Sequence, residues 1–161
     1  MNRRMRKSQD SSSRSTPVNQ EVVLKKLNDI RMQGSCAIRF LPLAVWPQRA
    51  LFVGAKDRNI KYLTKGAFPT VRKPLAKTHP LFVLETVSNL AHRVCPCSTK
   101  RYLNHHFIPE GCELEHTSYR IAKRTYLVED CIFQVPKDKN FLWSLRYWGK
   151  VPDGCIKKDE G

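Results

Sequence analysis

The run His79-Pro80-Leu81-Phe82-Val83-Leu84, followed ten residues later by Val94-Cys95-Pro96-Cys97-Ser98-Thr99-Lys100-Arg101, decides how this chain is read. From Leu81 the first segment is continuously apolar, as a strand covered on both faces is. The second is an apolar strand that ends abruptly in hydroxyl and basic side chains. Two such strands feed a core and deliver phosphate-friendly groups to one exit. Any chemistry is expected there.

Outward from this pair, short apolar runs broken by Pro and Gly recur. They cover Ala37 to Val45, Ala50 to Val53, Tyr62-Leu63, Leu81 to Thr86, His92 to Cys97, Tyr119 to Val128 and Cys131 to Val135. Gly66 to Pro74 reads as a punctuated loop, and Pro109-Glu110-Gly111 and Pro136 to Asn140 as turn material. This spacing predicts a mainly β domain with short helices. Phe141 to Trp148, with Leu142, Leu145, Tyr147 and Trp148, predicts a last helix stopped by Gly149, whose Trp143 and Trp148 pack on the sheet.

Upstream the pattern changes. Val23, Leu24, Leu27 and Ile30 stand at helical spacing with Lys25, Lys26 and Asp29 turned elsewhere, which predicts an amphipathic helix ended by Gly34. Residues 1–19 set Arg3, Arg4, Arg6, Lys7 and Arg14 against the single acid Asp10, with too little apolar surface to order themselves. The expected organisation is a disordered basic arm over 1–19, the amphipathic helix over 20–34, and one β-barrel domain with a C-terminal helix over 35–161. No internal repeat is visible.

The 29 Lys and Arg against 14 Asp and Glu give the 161-residue chain a formal charge of +15, and 41% hydrophobic content leaves room for a core. Such an excess attracts a polyanion, nucleic acid first, through a field that salt screens. No apolar run approaches eighteen residues, and no apolar stretch follows the amino-terminal charges, so neither a membrane span nor a secretory signal is expected. A cytoplasmic protein with no membrane partner is the expectation. The Arg- and Ser-rich start also fits a transit peptide, against which stand Asp10 and the lack of an apolar helical face.

Six cysteines, at 36, 95, 97, 112, 131 and 155, make an even set, but without an export signal they are expected to be reduced. Cys95, Cys97 and Cys112 together with His92, His105 and His106 also compose a zinc-ligand inventory. Their spacing opposes it: paired zinc cysteines usually stand two to four residues apart, and a strand turns Cys95 and Cys97 to one face with Pro96 on the other. No metal and no cofactor are expected, and Cys112 has no evident base to make it a nucleophile.

A strand preceded by His79-Pro80, a second strand ending Pro96-Cys97-Ser98-Thr99, a Pro- and Gly-marked excursion, and a strand carrying Arg124-Thr125 occur in that order. The order resembles that of the PemK/MazF-like endoribonuclease toxins of toxin-antitoxin systems, over about Gly66 to Val135. The resemblance implies an SH3-like small β-barrel, a homodimer, and cleavage of single-stranded RNA without a metal by attack of the ribose 2′-hydroxyl. It also implies an acidic antitoxin protein as partner. Such a reaction needs a base, an acid and fixed donors for the phosphorus oxygens.

In that family the residue before the strand-opening Pro is usually Arg. Here His79 stands in its place, which either supplies an acid-base group near neutrality or marks a lost activity. The resemblance makes His79, Ser98 and Thr99 the catalytic candidates, and Lys77, Lys100, Arg101 and Arg124 the RNA-binding ones. Plainer roles stand beside these. His79 suits a loop anchor, Ser98 and Thr99 a turn bonded to local backbone, and one of Arg124 and Thr125 a solvent-facing strand position. Tyr102, Phe107, Tyr119 and Tyr126, interleaved with cations, suit either base stacking or core, with core expected for most. A noncatalytic nucleic-acid-binding barrel and a ribonucleoprotein adaptor are the alternative functions.

Overall fold

The computed structural model describes residues 38–39, 41–69 and 77–161. The expected arm over 1–19, the helix over 20–34, Cys36 and residues 70–74 of the Gly66 to Pro74 loop lie outside the described residues. Nine strands, two short α-helices and three single-turn 3-10 helices make up the regular structure of the described residues. The strands and α-helices are β1 (Ile38–Arg39), β2 (Ala50–Lys56), α1 (Asp57–Leu63), β3 (Thr78–Ser88), β4 (Ala91–Ser98), β5 (His106–Ile108), β6 (Thr125–Leu127), β7 (Phe133–Gln134), α2 (Lys139–Ser144), β8 (Arg146–Lys150) and β9 (Lys157–Lys158).

The strands form one antiparallel sheet in the order β1-β8-β2-β3-β4-β6-β5-β9, curled into a half-barrel. Its centre is the β3–β4 hairpin, paired from Leu81↔Pro96 to Ser88↔Ala91 with register shifts between Val83 and Glu85 and between Thr86 and Ser88. On its other edge β4 divides its partners: Arg93 and Val94 pair with β7, whereas Cys97 and Ser98 pair with β6. That division bends the sheet, since one strand cannot keep two flat neighbours on a single edge.

Both faces of the hairpin are covered, which explains the unbroken apolar run. Leu81 and Val83 enter one core with Phe52, Val94, Phe133, Phe141 and Tyr147, beneath α1 and α2. Phe82, between them, enters a second core with Leu51, Cys95, Cys97, Ile108, Leu127 and Val151. Period-two alternation thus sorts neighbouring residues into opposite cores. Cys95 and Cys97 share the second core, as strand geometry requires, and both are free and buried, as is Cys131.

Several expectations are corrected. Tyr62-Leu63 is the end of helix α1, because Ile60 and Leu63, three residues apart, supply its inward stripe while Tyr62 is 83% exposed. Phe141 to Trp148 is helical only as far as Ser144. Asp138 caps α2 by accepting from the Asn140 and Phe141 amides, and Tyr147 and Trp148 then belong to β8. These adjacent aromatics pack into opposite cores, which period two permits and a helical turn does not. Trp148 lies against Tyr119, but Trp143 is 61% exposed and does not bury itself on the sheet. Of Tyr119 to Val128 only β6 is strand.

The reduced-cysteine expectation also fails at one pair. Cys112 and Cys155 form a disulfide with Cα atoms 6.1 Å apart, tying the loop after β5 to the carboxy-terminal turn. Backbone bonds from Gly111 N to Ile121 O and from Ile121 N to Cys112 O hold that loop in place. Among the described residues no three His, Cys, Asp or Glu side chains gather to hold a metal ion, and the zinc inventory is dispersed. No helix among them is long and apolar enough to cross a membrane.

Candidate functional site

His79 sits at the start of β3, opposite Ala55 of β2, and Thr78 sits opposite Lys56. The next residue after β2, Asp57, opens α1, and its amide donates to the Lys77 carbonyl at 3.1 Å. This fastening turns the carboxylate toward the β3 entrance. His79 Nδ1 donates to Asp57 Oδ1 at 2.5 Å, with the two side chains only 22% and 14% exposed.

Phe68 supports the ring from the other side, edge-on with centroids 5.0 Å apart. Its position follows from the end of α1, where Thr64 Oγ1 donates to the Ile60 carbonyl and accepts from the Phe68 amide. Two segments that are distant in sequence therefore fix one imidazole in orientation and tautomer. With Nδ1 as donor to a carboxylate, Nε2 of the neutral ring carries the lone pair that a general base needs.

Ser98 lies at the end of β4, the same end of the hairpin as the start of β3. Alternation groups His79 with Leu81 and Val83, and Ser98 with Val94, so both belong to the face of the sheet that carries the first core. Ser98 Oγ accepts the Lys100 amide at 3.1 Å in a local turn, and Thr99 is exposed just beyond the strand. His79 and Ser98 thus share a face and an end, while Thr99 projects past it.

The basic candidates divide. Lys77 is exposed beside His79, and Lys100 is exposed after Ser98. Arg101 is committed to a two-pronged ion pair with Asp159, Nε to Oδ2 at 3.0 Å and the terminal nitrogen to Oδ1 at 3.2 Å. Tyr126 and the Gly161 amide donate to the same carboxylate. The Arg101 fork, followed by these two donors, holds the Asp159 carboxyl far below the usual carboxylate range. Arg124 lies over the Phe107 ring, 4.4 Å from its centroid. These two arginines brace the β5–β6 end of the sheet. Phe107 and Tyr126 are buried there, in line with the core role expected for most of these aromatics.

The sequence reading missed Asp57 and Phe68, and with them Lys56 and Arg58, which flank the carboxylate. Lys56-Asp57-Arg58 does carry one local signal, an acid in the first turn of a helix. Nothing local ties it to a histidine 22 residues away. Comparison with protein-family models, with curated proteins and with solved structures gave no match.

Proposed function

We propose that this half-barrel is a metal-independent endoribonuclease that cleaves single-stranded RNA, with His79 as the general base and Asp57 as its positioning residue. The observation that carries the reading is the half-buried His79–Asp57 pair, held at 2.5 Å beside the exposed cations Lys56, Arg58 and Lys77. His79 Nε2 takes the proton from a ribose 2′-hydroxyl. The 2′ oxygen then forms a bond to phosphorus as the bond to the 5′ oxygen breaks, and the leaving oxygen takes a proton from water. The products are a 2′,3′-cyclic phosphate and a 5′-hydroxyl end. Lys56, Arg58 and Lys77 offset the charge that grows on the phosphorus oxygens, and the Ser98 hydroxyl donates to them.

On this reading the half-barrel is the SH3-like scaffold of a PemK/MazF-like toxin, its partners being a second copy of the chain and an acidic antitoxin that competes for the basic face. The +15 charge supports the RNA and the acidic antitoxin as polyanionic partners. The test is incubation of the purified chain with single-stranded RNA in EDTA, alongside His79→Ala and Ser98→Ala. Cleavage by the parent, lowered about 10²–10⁴-fold in His79→Ala and at least about tenfold in Ser98→Ala, supports the assignment. Equal cleavage by all three rejects the site. RNA that is bound but left intact by the parent favours the noncatalytic binding reading.

A further inference from the structure

Next to the dyad, α1 and α2 border an open groove of about 270 Å³. One side is made by Lys56, Arg58, Asn59, Tyr62 and Leu63, and the other by Pro136, Asp138, Asn140, Phe141 and Ser144. The groove begins beside the catalytic pair, because Lys56 and Arg58 of its lining flank Asp57 in the chain.

The lining has the three chemistries that a nucleotide requires. Tyr62 is an aromatic ring kept at the rim, 83% exposed, because Ile60 and Leu63 satisfy the inward stripe of its helix. Asn59 and Asn140 present amides from opposite walls, each with donor and acceptor atoms suited to a base edge. Lys56 and Arg58 supply positive charge at the end nearest His79. The one carboxylate in the lining, Asp138, turns Oδ1 onto the Asn140 and Phe141 amides and so is engaged with its own helix. The volume is slightly below the span of about 300–1,000 Å³ typical of drug-sized pockets, which suits a single base rather than a longer segment.

We propose that this groove is the base-recognition subsite for a nucleotide adjoining the scissile phosphate. The base stacks on Tyr62, the Asn59 and Asn140 amides meet its edge, and Lys56 and Arg58 hold its phosphate. This rests on the RNA-cleavage reading above and deepens it: the site selects by base, where the charge alone cannot.

The test uses 2′-O-methyl oligoribonucleotides, each of a single base, which bind but lack the hydroxyl needed for cleavage. Their affinities for the full chain are measured by fluorescence anisotropy. Tyr62→Ala is expected to weaken binding by about tenfold, with Tyr62→Phe close to the parent because the ring is retained. Asn59→Ala combined with Asn140→Ala is expected to level the differences among the four bases. Since Tyr62 is exposed, its loss leaves the core intact. Parental affinity in Tyr62→Ala, in a protein that still cleaves RNA, overturns the subsite and leaves the nuclease reading standing. Base preferences unchanged by the double asparagine variant overturn base recognition by these amides. A parent that neither binds these oligonucleotides nor cleaves RNA removes the nuclease reading, and the subsite with it.

Discussion

His79 meets Asp57 across 22 residues, which is why half of the proposed catalytic pair was legible in the chain and half was not. The Pro after His79 and the apolar run that follows mark the histidine as a strand entrance, but no periodicity encodes which acid the fold will bring to it. Asp57→Asn keeps the shape and removes the charge. It is expected to lower kcat by about tenfold or more with little change in KM, because in the proposed mechanism the residue orients the base and does not hold the RNA. A loss confined to KM in steady-state cleavage assays would assign Asp57 to substrate binding instead. His92, a second buried imidazole, has a different task. Its Nε2 donates to the Leu43 carbonyl at 2.7 Å, its Nδ1 accepts from Thr86 Oγ1 at 3.1 Å, and Trp46 stacks on it. Burial lowers its pKa below the ordinary 6.5. The unfolded chain therefore binds a proton at His92 that the folded chain refuses, so its contribution to stability is complete above about pH 6.5 and declines as pH falls below that value. The melting temperature is expected to drop between pH 7 and pH 5, and less steeply in His92→Gln. Parallel pH curves for the two proteins would remove His92 as a cause.

At the scale of elements, the run from Leu81 to Val83 was legible because a strand between two cores has no polar side to interrupt it. The helix α1 and the strand β8 were not. Ile60 and Leu63 give α1 too short an inward stripe, and the apolar density of Phe141 to Trp148 fits a helix until opposite cores claim Tyr147 and Trp148. The closest backbone approach in this region is at Gly54, in the irregular stretch of β2 between Phe52 and Ala55. Its φ is +98°, and a Cβ there would run into the Ser144 carbonyl at the end of α2. Gly54→Ala is expected to destabilise the fold by about 1–3 kcal/mol or more in urea unfolding, from the positive φ alone before the collision is counted. An unchanged midpoint would mean that α2 moves aside freely. The Cys112–Cys155 bridge was illegible for another reason, since two cysteines 43 residues apart show their proximity only once β5, β6 and β9 are paired. By chain entropy it stabilises by about 4 kcal/mol. Cys112→Ser is expected to lose much of that in equilibrium unfolding, and identical curves with and without a reducing agent would show that the bridge carries no such stabilisation.

The whole molecule is a strongly cationic body in which some of the charge is fastened and some is free. Arg101 is paired with Asp159 and Arg124 lies over Phe107, whereas Lys56, Arg58, Lys77 and Lys100 are exposed. Net charge was readable from composition, but its division between paired and exposed side chains needed the fold. The five cations among residues 1–19 add to the field in either case. Deleting those residues is expected to weaken RNA binding and flatten its dependence on salt while leaving turnover intact, because each phosphate contact releases counterions. An unaltered salt slope would exclude the arm from the RNA contact. The central claim, that His79 directs a ribose hydroxyl against its own phosphate, is tested most directly by mass spectrometry of the RNA ends left after cleavage in EDTA. The expected ends are a 2′,3′-cyclic phosphate and a 5′-hydroxyl, both lost in His79→Ala; 5′-phosphate ends, or the same ends at the same rate from His79→Ala, would contradict it.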